Sequence, residues 1–478
     1  MVAAVSGACA AASGPGYRDA PDAGRTVVMA TTIDRYHSAA GDEDVVLAPL
    51  PQAEAPRAWV RKADGSFAMV EYGGESRPGV YPLHFPDGQM YVAYRAQFVV
   101  GALGDVDFGR SHVGRADATL ADPDTFLSLS GDGLLPWWFG VDALLFVCPN
   151  AGAMQLEYAS PGLPRTNETA LAGFDLSWHQ SGLVSAAHGD EAWVLQQRIS
   201  RDDNVYYAHY PRAMHLTGIE QGDGAVTPVS GTFVEGVRAS LDVDLRLAAF
   251  AVAGRAGTPT LTFDLPQAWV KLRRFGQNDA ADSFDDVVDI FGFDSASDQS
   301  LSFDYQNPYP PEWPEVLEVS LAALAGYRLD GSFDSLAGVA VVRLVVPLAA
   351  AEAAPVVPRV GPPRRLRLDG AAALTGLSTV AETPLVEWDA PALGSADGYI
   401  VELMRLEQHD GLTFDTSVAR FYTVATSVQL VPGLIEPGTV YFLRVTALSG
   451  EGVDVLHAPN RVSGSYGSAD ALTGVFHR

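Results

Sequence analysis

From Thr26 onward the apolar residues of this chain come in short runs broken by turn residues. That pattern favours strands and leaves almost no room for long helices. Thr26-Val27-Val28-Met29, Val45-Val46-Leu47 and Trp59-Val60-Arg61 are such runs, with Asp64-Gly65 and Pro86-Asp87-Gly88 as turn signals between them. Further along, Leu241, Val243 and Leu245 alternate with Asp242 and Asp244, the period-two pattern of a half-exposed strand. The 47 glycines and 31 prolines supply the turns that many short strands require. The chain is therefore expected to be all-β, folded as several β-sandwiches. A short helix is expected between Phe284 and Phe293.

A length of 478 residues allows about three domains at roughly 150 residues each. Residues 1–25, rich in Ala, Gly, Ser and Pro, read as a flexible tail. Residues 26–112 read as a small β-sandwich, and 113–350 as a large antiparallel β-domain, whole or divided in two. Residues 351–363 form an Ala/Pro linker, because proline with few glycines favours extended, semi-rigid backbone. Residues 364–478 make a final sandwich.

Net charge narrows the partners. At −27, with no cluster of Lys and Arg, the chain lacks what a nucleic-acid binder uses to neutralise phosphates. No apolar run is long enough to cross a bilayer as a helix: Arg343, Pro347 and Glu352 interrupt the most apolar stretch, 336–357. Cys9 follows small residues, as at a bacterial lipoprotein cleavage site, and is the candidate for a lipid anchor. Ser6 stands where such a site carries an aliphatic residue, and no basic region or apolar core precedes it. Cys148 ends the apolar run Leu144-Leu145-Phe146-Val147 and is expected to be buried and unpaired.

The most specific pattern is C-terminal. Leu366 and Leu368, Trp388, Tyr399, then Leu434 through Pro437-Gly438 to Tyr441 follow one another at strand spacing, and Leu443 and Val445 alternate with Arg444 and Thr446. Pro437-Gly438 makes a turn, and Tyr441 can bury its ring while its hydroxyl bonds to backbone upstream. Strand by strand these residues resemble the fibronectin type III family. The resemblance implies a sandwich with Trp388 and Tyr441 in its core, Leu443 and Val445 inward, and Arg444 and Thr446 to water. Residues 361–478 exceed the roughly 100 residues of such a domain, with the excess at 370–378 and after Gly450. More loosely, Asp64-Gly65-Ser66-Phe67 followed by Pro78-Gly79-Val80-Tyr81-Pro82-Leu83 resembles the peptidase regulatory-like, prealbumin-type domains of bacterial surface proteins.

No motif of catalysis stands out. Zinc-type histidine spacing, a nucleophile elbow, a phosphate-binding loop and a dinucleotide fingerprint are all missing. A glycosidase needs only two carboxylates and leaves no signature. The acidic stretch 279–298 offers Asp282, Asp285, Asp286 and Asp289 to a calcium ion. It lacks the EF-hand spacing, and a solvated acidic face is the expectation. Tyr305, Tyr309 and Trp313, in a proline-rich loop, are the candidates for stacking on a sugar.

A string of such domains is expected to act without a cofactor, as a secreted or cell-surface protein of a bacterium. Its expected partners are other proteins or further copies of itself. The alternative is a carbohydrate-binding protein, or an extracellular enzyme acting on glycans, with 113–350 as its working domain.

Overall fold

A computed structural model describes residues 26–37, 43–47, 55–70, 80–102, 104–158, 160–178, 181–202, 205–257, 263–272, 286–294, 297–311, 313, 315–327, 336–373, 377–409 and 412–478. Strands dominate them, as the run lengths require, and the protein is all-β with several packed sheets. One sheet of eighteen strands passes through the whole chain. It starts at the terminal strand Ala153–Glu157, crosses the central region to Leu336–Pro347, and there pairs antiparallel with Val462–Leu472. It continues through Tyr441–Val453, Gly398–His409 and Leu412–Thr423. Arg420, Phe421 and Tyr422 then pair in parallel with Gln97, Phe98 and Val99. Its other terminal strand is Phe67–Val70.

Smaller sheets cover this long sheet and close the cores. Asp142–Cys148 shows why an unbroken apolar run belongs in its interior. Leu144, Phe146 and Cys148 point into a core shared with the sheet of Phe126–Asp132, Ala170–Ser177 and Val226–Thr232, while Leu145 and Val147 point into the largest core. A strand buried on both faces has no reason to alternate. Cys148 is fully buried there. Val237–Leu245 does alternate. It pairs with Gln299–Asn307, and Leu241, Val243 and Leu245 are buried while Asp242 lies in solvent.

In the C-terminal region, Arg364–Leu368, Leu385–Asp389 and Ser427–Gln429 form one layer, and the long sheet forms the other. Trp388 and Tyr399 meet edge to face at 5.3 Å in the core between them. Tyr441 is 1% exposed, and the Glu436 amide donates to its hydroxyl at 3.1 Å. Gly438 adopts φ 78°, which the Pro437-Gly438 turn needs and glycine tolerates. Leu443 and Val445 are fully buried, as the alternation predicts.

Two expectations fail, each because distant partners decide the outcome. The span expected to hold a helix contains the strand Asp286–Phe291, which pairs with both Val205–Leu216 and Phe263–Leu272 and buries Val287, Val288 and Ile290 completely. The helix lies instead at Leu247–Ala256, an alanine-rich run whose Gly254 lets it approach Leu321: a Cβ there would stand 2.9 Å from the leucine Cδ2. The expected linker is packed in place. After the short helix Leu348–Ala353, Val356 bridges to Leu245, Val360 is fully buried and the Gly361 amide donates to Leu393.

Candidate functional site

Arg444 and Thr446 do not face open water. The outward face of the long sheet, where the central, N-terminal and C-terminal regions meet, carries a cluster of charges on neighbouring strands. Glu402 sits at its middle, 4% exposed. Arg420 Nε donates to it at 2.7 Å, Ser417 Oγ at 2.6 Å, and Arg444 donates to its other oxygen. Two strands from Glu402, Asp470 accepts from Thr446 Oγ1 at 2.7 Å and from the Val341 amide at 2.9 Å. Arg343 faces Glu318 at 3.1 Å. Burial alone would raise the Glu402 carboxyl, but Arg444, Arg420 and the Ser417 hydroxyl outweigh it and hold it below the usual range. Burial wins at Asp470 and pushes that carboxyl up.

The chain after Gly450 has a use here. Residues 454–461 reach across to the N-terminal region, where the Asp107 amide donates to the His457 carbonyl at 2.7 Å. Asn460 donates to the Phe108 carbonyl at 2.8 Å, and Arg461 pairs with Asp107 at 2.7 Å. Tyr422, Leu448 and Val455 belong to the N-terminal core itself. The junction is therefore built like a domain interior, with apolar contacts beside satisfied charges.

A different surface lies at the terminal edge. Met154 and Leu156 on the outermost strand are 44% and 46% exposed, and Tyr158 just beyond it 68%. The hairpin partner Asp142–Cys148 is entered through Trp138 and Phe139, which are 58% and 69% exposed. Asp142 fixes that loop: its carboxylate accepts the Trp138 amide at 2.9 Å and pairs with Arg198 at 2.6 Å. Five large apolar side chains thus stand in water along this hairpin and its entry loop, and a buried carboxylate holds the loop. Exposed apolar residues gathered this way mark contact surfaces.

The aromatic loop expected to stack on a sugar is internal. Tyr305 and Tyr309 are each 2% exposed. Tyr309 and Trp313 stack at 5.6 Å and both pack edge-on against Trp193, whose other neighbour is His215 at 4.8 Å. Tyr305 donates to Glu315 at 3.0 Å. The loop packs its rings against a hairpin far upstream: Tyr305 and Tyr309 offer no open face, and Trp313 is half-buried. Of the calcium candidates, Asp282 and Asp285 lie outside the described residues, as does Cys9. Asp286 and Asp289 are strand positions opposite Lys271 and Trp269. Among the described residues no group of three or more His, Cys, Asp or Glu side chains is placed to hold a metal ion, and no helix is long and apolar enough to cross a membrane.

Comparison with known proteins leaves the class of protein at the level the fold defines, a multi-sheet all-β chain. No family model matches it, and no curated protein matches it. Among solved structures it is similar to the FN1–FN3 domains of chicken CNTN1, at 9% identity over 70% of this chain and 90% of that one, with a TM-score of 0.14. A superposition that loose carries no argument.

Proposed function

We propose that this chain is a non-enzymatic structural or adhesion protein of the bacterial surface or exterior, ending in a fibronectin type III-like domain and acting through contacts with other proteins. The observation that carries the reading is the apolar terminal edge of Met154, Leu156 and Tyr158, with Trp138 and Phe139 exposed in the loop that enters its partner strand. Contact surfaces are enriched in aromatic residues and Met, and a terminal strand offers backbone donors and acceptors to a partner strand. The charged clusters support it from the other side: the carboxylates at the junction are engaged by arginines and hydroxyls, as structural groups are. The C-terminal assignment rests on the two-layer strand arrangement, the buried Trp388 and the Tyr441 corner.

Amide hydrogen exchange on the full chain at rising protein concentration tests it, with further copies of the chain as the partner. Protection gained at Ala153–Glu157 and in the 138–141 loop is the expected result. Exchange at that edge independent of concentration, with protection gained elsewhere, contradicts it.

A further inference from the structure

The long sheet ends at Ala153–Glu157, and among the described residues that strand pairs on one side only, with Asp142–Cys148. Its other side is an open edge, where the outward N–H and C=O groups of alternate residues offer themselves to a further strand. The register fixes which way the side chains face. Met154 stands opposite Val147 and Leu156 opposite Leu145, and both of those partners belong to the largest core. Met154 and Leu156 therefore carry the core face of the sheet out to its last strand, where they stand 44% and 46% exposed. Gln155 and Glu157 lie on the opposite face, with Phe146 and Leu144.

Charge decides which strand fits the edge. Glu157 is the one charged residue in Ala-Met-Gln-Leu-Glu, and Gln155 and Ser160 donate to it within its own copy. In a chain of net charge −27, two copies meet here with little repulsion. Antiparallel pairing about Gln155 sets Glu157 opposite Ala153, Met154 opposite Leu156 and Gln155 opposite itself. Parallel pairing in register would set Glu157 beside Glu157, and like charges directly opposite are destabilising. A slip of one residue would turn the apolar pair against the polar face.

We propose that two copies of the chain join by antiparallel pairing of Ala153–Glu157 across a two-fold axis at Gln155, so that the long sheet runs from one copy into the other. This rests on the reading of the apolar edge as a contact surface, and adds to it the partner's strand and register. Met154 of one copy packs on Leu156 of the other, on the face that continues the largest core. A two-fold uses the edge of each copy once, so association closes at two chains.

Cysteine cross-linking of the full chain tests the pairing, in a Cys9→Ser background with Cys148 left buried. Residues directly opposite in an antiparallel pair have Cβ atoms about 4.5–5.5 Å apart, and diagonal neighbours lie about 7–8 Å apart. A disulfide does not bridge Cα atoms more than about 7 Å apart. Q155C is therefore expected to give a covalent dimer on mild oxidation with copper phenanthroline. M154C and L156C, each alone, are expected to give about tenfold less, and mixing the two restores the dimer. Light scattering on the reduced proteins is run beside it. Association without that cross-linking pattern, or a mass that grows past two chains, overturns the pairing and leaves the contact surface standing. All three variants cross-linking alike also overturns it, as random collision would do the same. Monomers at every concentration overturn both the pairing and the reading beneath it.

Discussion

Asn460 and Gln97 exchange two side-chain hydrogen bonds, each 2.9 Å long, across 363 residues of chain. Asn460 also donates to the Phe108 carbonyl and accepts from the Tyr422 hydroxyl at 3.1 Å. One amide therefore satisfies groups from the N-terminal region and from the strand that pairs with it.

Asn460→Ala is expected to destabilise the protein by about 1–3 kcal/mol, because it leaves partly buried donors and acceptors unpaired. Urea unfolding measures it. If the N-terminal and C-terminal regions are one unit, the midpoint falls in a single transition. A midpoint unchanged from wild type, or loss confined to an early N-terminal transition, counts against the continuous sheet.

Glu402→Gln removes the counter-charge that Arg420 and Arg444 share, leaving Arg444 with Asp470 alone. Breaking a buried pair by neutralising one partner typically costs about 3–5 kcal/mol, and the retained side-chain oxygen puts this variant toward the lower end. The pH dependence has a definite sign. Glu402 is held below the usual carboxylate range when folded, so its contribution is present above the unfolded pKa and is lost as pH falls through the folded value. Asp470, raised by burial, works oppositely: protonation of that carboxyl favours the folded state. Denaturant unfolding across acid pH should show a shallower loss of stability in Glu402→Gln than in wild type. Parallel curves would mean Glu402 does not titrate as its partners dictate.

Tyr441→Phe tests the C-terminal corner. The Glu436 amide loses its acceptor at 3.1 Å while the ring stays buried, so a loss of about 1 kcal/mol is expected. No change in unfolding midpoint would show that the hydroxyl carries no weight in the turn.

What the sequence reveals here follows the range of the interactions. The run Leu144–Val147 and the alternation Leu241-Asp242-Val243-Asp244-Leu245 are local patterns, and both emerge as the strands they predict. Tyr441 and Gly438 lie three residues apart, so their turn is legible too. The junction is not legible, because Glu402, Arg420, Arg444 and Asp470 become neighbours only through strand pairing. Arg444 alternates with core residues, which places it on the outward face without saying what covers that face. The loop at 305–313 misleads for the same reason: Trp193, which buries its rings, lies far upstream. Valine-rich Asp286–Phe291 becomes a strand because two ready-made strands flank it, while alanines 248, 249, 251 and 253 let Leu247–Ala256 coil. The exposed pair Trp138-Phe139 leaves a trace in sequence, but nothing there distinguishes it from buried Trp137.

The apolar edge carries the functional reading, and it is tested most directly by light scattering on the full chain as it elutes from a sizing column, wild type beside M154K/L156K. Both side chains are nearly half exposed, so the lysines are tolerated by the fold while they charge the surface. At physiological salt, which screens the acidic surface, the wild type should show a mass that rises with concentration or a discrete oligomer. The double variant should remain at the 50.7 kDa of one chain. A wild type that stays monomeric at every concentration, or a variant that associates equally well, contradicts the account.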